Sequence, residues 1–297
     1  MAGDRGVIKT KRITPQRDFQ CLELFYYYNG ADSDQLNIWI REFESGFHTT
    51  GAARLIGQIT DSPENYWRLQ HIQLRTTKVF QIEFEAVKGQ GMSSGGFSLD
   101  DINLSETVCP HHIWHLRNFR QTLHSGITFQ RGPKFYSVEG YRYRIYLTYV
   151  SERLGIYVSL VSGDYDYSLQ WPCPNKQITV QLMEQTSSIQ QRMSKQVTVT
   201  LYESQTTTSN GETVFHWDKP QLVGVQYFDS GELVFEGPLY GLSHFLSYTT
   251  ILAGDFIQGE DSFLLISFED VLNQPSPILP TPMTQSNNLI PSNLCGP

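Results

Sequence analysis

Three histidines close together are the first group in this sequence that could bind a metal. His111, His112 and His115 form the pattern HHxxH. A zinc-protease helix needs HExxH, in which two histidines one turn apart bind zinc and the glutamate between them is the general base. His112 occupies the glutamate position, so the base is missing. Trp114 and Leu116 alternate with polar residues as in a strand, which would turn His112 and His115 to opposite faces. The pattern therefore predicts neither zinc catalysis nor a metal site.

Two adjacent carboxylates, Asp100 and Asp101, are the second group that could do chemistry. Neighbouring residues of a strand point to opposite faces of a sheet, so the pair cannot work together as an acid and a base. A solvated or turn-bonding role is favoured instead. No serine lies in a nucleophile-elbow pattern, and no GxGxxG sequence opens a helix. The sequence predicts no catalytic residue and no cofactor in this chain.

The cysteines and one asparagine are candidates for covalent modification rather than for metal binding. Cys21, Cys109, Cys173 and Cys295 do not form the close pairs of a zinc site. Cys173, in the sequence WPCP, has no obvious partner. Asn103-Leu104-Ser105 fits the N-glycosylation pattern, and leucine is permitted at its middle position.

The composition is that of a folded chain that does not bind nucleic acid. Of 297 residues, 39% are hydrophobic and 13% aromatic, which is enough for packed cores. Thirty acidic and 22 basic residues leave a net charge of −8, which repels a phosphate backbone. No run approaches the ~20 apolar residues of a membrane span, and the start has no apolar signal-peptide region. We expect a solvated basic arm made of Arg5, Lys9, Lys11, Arg12 and Arg17.

Period-two alternation predicts short strands before residue 109. Leu22, Leu24 and Tyr26 share one face of the first strand. The aromatic residues of this region, Trp39 among them, could line a sugar or peptide site, but a place in the core is favoured. Further strands are expected at residues 36–41, 66–74, 78–87 and 97–104, and a long glycine-rich loop is expected at residues 88–96.

A second set of strand patterns follows. Tyr143, Ile145 and Leu147 alternate with polar residues, and Ile156 and Val158 repeat the pattern. Strands are expected at residues 141–149, 156–160, 178–182, 196–202, 223–228, 232–235 and 263–268, with a polar loop at 206–212 and one helical turn within 241–253. Short strands separated by turn signals predict an all-β chain of two antiparallel β-sandwiches.

The boundary between the sandwiches is predicted at Cys109-Pro110. Proline has no backbone donor and pushes the preceding residue into an extended conformation, so strand pairing should stop there. We predict one domain at residues 1–109 and another at 110–271. Residues 272–297 are rich in proline, serine and threonine, which favours an extended linker.

Two sequence stretches resemble known domains. FQIEFEAVKGQG followed by GGFSLDDINLSETVC resembles the C-terminal part of a MAM domain. CPHHIWHLRNF followed by GPKFYSVEGYRYRIYL resembles the opening of a MATH (TRAF-like) domain, and GLSHFLSYTTILAGDFIQGEDSFLLISFE resembles its end. A MAM domain directly followed by a MATH domain is characteristic of meprins, zinc proteases of the astacin family.

The resemblance implies a sandwich in each domain and several covalent features. It places Cys21 and Cys109 at paired MAM cysteines; the alternative is two free thiols. It places Asn103 at a glycosylated position and allows a structural cation near Asp100 and Asp101. Because the opening third of a MAM domain has no counterpart here, we expect a partial MAM domain with an uncovered apolar face and reduced stability. Cys295 would belong to a missing EGF-like module.

The resemblance also implies the function. It predicts a non-catalytic protein-interaction and oligomerisation part of a meprin-like zinc metalloendopeptidase, with self-association or meprin-like subunits as partners. Zinc would belong to the protease domain that this chain lacks. The expected location is extracellular or at the cell surface. Two alternatives stay open: a C-terminal part of an active membrane-anchored peptidase, and a stand-alone MATH module that binds a peptide on a sheet edge.

Overall fold

A computed structural model describes residues 2–16, 18–91, 94–173, 175–202, 204–208 and 210–271. It is an all-β fold of antiparallel sheets, as the sequence predicted. Arg17 of the basic arm, part of the loop at 88–96 and the whole predicted linker, including Cys295, lie outside the described residues.

The first module comprises seven strands in two antiparallel sheets. The strands are β1 (Arg5–Lys9), β2 (Cys21–Tyr28), β3 (Gln35–Phe43), β4 (Ala52–Ile59), β5 (Arg68–Gln73), β6 (Val79–Val87) and β7 (Phe97–Ser105). One sheet has the order β1-β6-β3-β4 and the other the order β5-β2-β7.

The core of the first module lies between these two sheets. Leu22 and Leu24 of β2 pack in one buried cluster with Ile38 of β3 and with Phe80 and Phe84 of β6. The expectation of an uncovered apolar face is therefore wrong for the described residues. The three-stranded sheet closes over the four-stranded one, so the inward side chains of β2 all find apolar partners.

The basic arm is a second correction. Residues 5–9 are not a solvated tail but an edge strand paired along β6, with Arg5 opposite Val87 and Lys9 opposite Glu83. Arg5 Nη1 lies 3.0 Å from Glu85 Oε1, and Lys9 Nζ lies 3.2 Å from Glu83 Oε1. The free backbone edge of β6 and its glutamates thus bind a basic strand. From the sequence alone, the same residues were predicted to be a polar terminus.

Within the described residues, the second module contains twelve strands, three short α-helices and one turn of 3₁₀ helix at Ile189–Gln191. The strands are β8 (His112–Leu116), β9 (Phe129–Tyr136), β10 (Arg142–Val150), β11 (Arg153–Leu160), β12 (Lys176–Leu182), β13 (Lys195–Leu201), β14 (Gln205–Thr207), β15 (Thr213–Phe215), β16 (Val225–Asp229), β17 (Glu232–Glu236), β18 (Tyr240–Ser247) and β19 (Ser262–Asp270). The helices are α1 (Phe119–His124), α2 (Pro220–Val223) and α3 (Tyr248–Ala253). Two four-stranded sheets, β18-β11-β10-β9 and β13-β12-β19-β8, form the sandwich, and β14–β15 and β16–β17 are two-stranded ribbons.

The predicted alternation fills the core of this second sandwich. Ile145 and Leu147 of β10 pack against a cluster that includes Ile266 of β19, and all three are fully buried. The expected helical turn is α3, where Ser247 Oγ caps the helix by accepting a hydrogen bond from Thr250 N at 3.1 Å. The polar loop at 206–212 was predicted too long, because its ends pair as β14 and β15. Helix α1 was not predicted, since six residues are too short to show a helical period.

Candidate functional site: the junction between the two modules

Between the modules, two sheets meet through the side chains that point away from their own cores. In β2, Leu22 and Leu24 point into the first core, so the alternate residues Glu23 and Phe25 point outward. In β19 the alternation likewise leaves Phe263 on the face opposite its core residues. In each of these strands, alternate side chains fill the core of the module, and the remaining ones therefore lie in the junction.

An apolar cluster occupies the middle of the junction. Phe25 and Leu69 from the first module pack with Met183 and Phe263 from the second, and each of the four is at most 8% exposed. The rings of Phe25 and Phe263 meet edge to face with centroids 5.5 Å apart, which is a favoured aromatic geometry. The two modules thus share a small apolar core of their own.

A buried ion pair lies beside this cluster. Glu23 Oε1 is 2.6 Å from Arg192 Nη1, and Glu23 Oε2 is 2.9 Å from His71 Nε2. Burial alone would raise the pKa of Glu23, but the hydrogen bonds and charges of His71 and Arg192 outweigh it and hold that pKa below its usual value. The carboxylate of the first module is therefore charged, and a cation from the second module pairs with it.

The three predicted histidines lie at this junction but bind three different groups. His111 Nδ1 accepts a hydrogen bond from Phe268 N at 3.0 Å, and His112 Nε2 is 2.8 Å from the carbonyl oxygen of Tyr136. His115 Nε2 is 2.9 Å from Asp261 Oδ2. Strand β8 separates the side chains as predicted, and within the described residues no three His, Cys, Asp or Glu side chains are grouped as metal ligands.

The environment of His115 favours its neutral form. Its ring stacks on Phe263 at 4.4 Å and meets Tyr66 at 5.2 Å. Burial lowers the pKa of His115, although the Asp261 carboxylate opposes this. Arg117 also contacts Asp261 at 2.9 Å, and its guanidinium lies 3.4 Å from the Tyr66 ring centroid. These contacts give the histidine a packing role between the modules.

The resemblance pointed to a disulfide, and the structure contains it. Cys21 and Cys109 are joined with an S–S distance of 1.99 Å and a sequence separation of 88 residues. The bond ties the start of β2 to the segment that leaves the first module. Cys173 is free and buried in the second core, and burial raises the pKa of its thiol to about 12. A thiol with so high a pKa is a poor nucleophile.

Asp100 and Asp101 lie at a bulge in β7, beside a cavity of about 410 Å³ at the junction. Asp101 N donates to Asp100 Oδ1 at 2.8 Å, and the φ angle of Asp101 is 46°. The Asp100 carboxylate thus bonds the backbone of the bulge, and Asp101 adopts the left-handed region, which aspartate tolerates. The cavity is also lined by Trp67, which is 41% exposed.

Most of the aromatic residues singled out in the sequence are structural. Tyr26 and Tyr28 are buried in the first core, as favoured. For Trp39 the prediction of a place in the core is wrong, because it lies half-buried on the outer face of β3, where its Nε1 donates to Glu85 Oε2 at 3.0 Å. Arg192 is the junction residue that sequence reasoning missed. Arg192 and Glu23 are 169 positions apart in the sequence, and no local pattern predicts such a contact.

Comparisons with known proteins agree with this architecture. The model for the MAM domain, described as meprin/A5/mu, matches residues 1–110, and the MATH domain model matches residues 111–267. Meprin A subunit beta from Homo sapiens is 44% identical over 91% of this chain, and the same subunit from Mus musculus is 40% identical over 99%. Meprin A subunit alpha from Rattus norvegicus is 31% identical over 99%.

The chain therefore belongs to the MATH-domain family, with a MAM domain preceding the MATH domain. This domain order, together with the subunit similarities, makes it a meprin-like protein, as the sequence resemblance had indicated. The chain spans only about two fifths of these relatives, 38% of the human and 42% of the mouse subunit. None of the helices in the described ranges has the length and apolar character needed to cross a membrane.

Proposed function

We propose that this chain is a non-catalytic protein-interaction and oligomerisation unit of a meprin-like protein. Its domains would occupy residues 1–109 and 110–271, followed by a linker at 272–297. The packed junction supports the proposal, because Phe25, Phe263 and the Glu23–Arg192 pair let both modules act as one body. The proposed partners are a second copy or meprin-like subunits, at the cell surface or outside the cell.

An exposed apolar pair on the β16–β17 ribbon carries this proposal. Phe228 and Leu233 lie directly opposite each other across the ribbon and are 75% and 47% exposed. On the other face of the ribbon, Val234 is fully buried and Tyr227 hydrogen-bonds Glu236. Apolar side chains that stay side by side in water favour a protein contact at this ribbon.

No peptidase activity is assigned to the chain. Zinc hydrolysis of this kind needs two histidines and a glutamate base in HExxH, and that pattern occurs nowhere in the sequence. The relatives are named as subunits, which supports assembly with other chains as part of the role.

Sedimentation velocity over a range of concentrations tests the proposal. We expect the chain to self-associate at micromolar concentration and Phe228→Ser to shift it towards the monomer. Phe47→Ser is a matched control, since Phe47 is a 98% exposed phenylalanine on the first module and should not affect association. A chain that is monomeric at every concentration and captures no meprin-like subunit would contradict the proposal.

A further inference from the structure

A polar groove of about 460 Å³ runs along one side of the junction. Its first wall is the outward row of the three-stranded sheet. Glu23 pairs across the strands with His71 on one side and Asn103 on the other, so the three side chains share one face. The predicted glycosylation residue thus lies in the wall of a cavity between two modules.

The opposite wall has the chemistry that a sugar requires. Beside Arg192 and Glu269, it presents mainly neutral side chains that can both donate and accept hydrogen bonds, with a few apolar contacts among them. The neutral polar residues are Thr179, Gln181, Ser194 and Ser267, and Leu265 provides apolar surface. Sugar hydroxyl and acetamido groups also donate and accept, and the ring carbons need apolar surface. The groove volume is within the ~300–1,000 Å³ usual for small-ligand sites.

Two buried nitrogen atoms of the groove have no hydrogen-bond partner among the described residues. Arg192 Nη2 and His71 Nδ1 are both buried, and among the described residues neither atom makes a hydrogen bond. Arg192 Nη2 lies 3.6 Å from Asp101 Oδ2, which is too far for one. The side chains of Arg192 and His71 are only 9% and 6% exposed, and both residues line the groove. Buried polar atoms are almost always paired, so these two nitrogen atoms are suited to bind a polar ligand in the groove.

Asn103 is half-buried and lines the same groove. We propose that the groove receives the first sugars of a glycan attached to Asn103, an N-acetylhexosamine at the amide nitrogen. Its hydroxyl or acetamido oxygens accept from Arg192 Nη2, and one of its hydroxyl groups donates to His71 Nδ1, so that the sugar bridges the two modules. The inference rests on modification of the Asn103-Leu104-Ser105 sequon and does not depend on self-association.

The first experiment separates attachment from placement. The chain is made in cultured animal cells with Phe47→Asn, which creates an exposed sequon with His48 and Thr49 as an internal control. Mass spectrometry gives the occupancy of both sites, and a peptide amidase that removes N-glycans is added to native and denatured protein. We expect the Asn103 glycan to be released at least tenfold more slowly than the control glycan in native protein, and equally fast after denaturation.

Two outcomes would overturn the proposal, and they differ. An unmodified Asn103 removes its premise, whereas an occupied Asn103 whose glycan is released at the control rate removes the placement alone. Ser267→Phe fills the groove and should bring release at Asn103 up to the control rate without lowering occupancy.

A second measurement does not need the groove-filling variant. Ser105→Ala removes the sequon, and Thr107→Ala keeps it while breaking the same Ser105 Oγ–Thr107 Oγ1 hydrogen bond of 2.6 Å. We expect faster amide hydrogen exchange in β12 and β19 for Ser105→Ala but not for Thr107→Ala. Equal exchange in both variants would show that the glycan does not contact the second module.

Discussion

The two modules are both sandwiches, but they are held together by different means. The buried cluster of the second module has about twice as many residues as that of the first, and the second contains no disulfide among its described residues. The first module has a smaller core, a disulfide across its ends and one sheet covered by its neighbour. A smaller core buries less apolar surface, so covalent and junction contacts contribute a larger share of its stability.

The two outer faces of the first module show how the type of residue on a sheet face depends on whether that face is covered. On the solvent side, Glu83 pairs with Arg41 through two contacts of 2.6 and 3.1 Å and with Lys9 at 3.2 Å. On the junction side, Phe25 and Glu23 are buried under the second module. A sheet face that meets water is covered by a charge network, and one that meets another sheet carries aromatics and one paired charge.

Loss of the disulfide should produce the largest difference in stability between the two modules. For Cys21→Ser with Cys109→Ser we expect the first module to lose about 4–5 kcal/mol, the loop-entropy value for a separation of 88 residues. Hydrogen exchange should then speed up in β2 and β6 and stay slow in β10 and β12. Cys173→Ala, in the other core, is the control for removing a cysteine. Equal loss of protection in both modules would show that they unfold as one unit.

Breaking the junction ion pair should have the second largest effect. Arg192→Met leaves the Glu23 charge buried without that partner, and we expect a loss of about 3–5 kcal/mol in the free energy of unfolding measured with urea. Adding Glu23→Leu should restore part of it, because the stranded charge is then removed. If the double variant is no better than Arg192→Met, the pair does not act as a unit.

The same pair makes the junction sensitive to acid. The pKa of Glu23 is depressed in the folded chain, so its contribution is present above the unfolded value of 4.5 and is lost as the pH falls below it. His115 adds an earlier loss, because its pKa is below 6.5 when folded and the unfolded chain takes up that proton first. Glu23→Gln should flatten only the lower limb of stability against pH, and His115→Asn only the upper limb. Unchanged profiles would exclude these groups.

An exposed ion pair in the first module should matter least. Lys78 Nζ is 2.6 Å from Glu44 Oε1, a shorter distance than several buried pairs have, yet both side chains are at least 49% exposed. Because water solvates both partners, we expect Lys78→Ala to leave thermal unfolding unchanged within error. A shift comparable with that of Arg192→Met would mean that distance, rather than burial, sets the strength of these pairs.

Much of this fold could be predicted from the sequence because strand patterning is local. Alternation in β2 and β10 identified which side chains face a core, and the resemblance supplied the Cys21–Cys109 bond. The strand character of His112 and His115 also argued against a zinc site, since it turns the two rings to opposite faces. These inferences needed only neighbouring residues or a family pattern.

What the sequence determined by itself was therefore most of the core strands, their inward faces and the sandwich class, whereas the strands β1, β9, β14, β15 and β18 were not predicted. Only the tertiary structure decided that the basic residues 5–9 pair with β6, that Arg192 reaches Glu23, and that Asn103 lines a groove between modules. The physical reason is that a period of two specifies both faces of a strand but not what covers the second face. That depends on the packing of sheets distant in sequence, which no local pattern records.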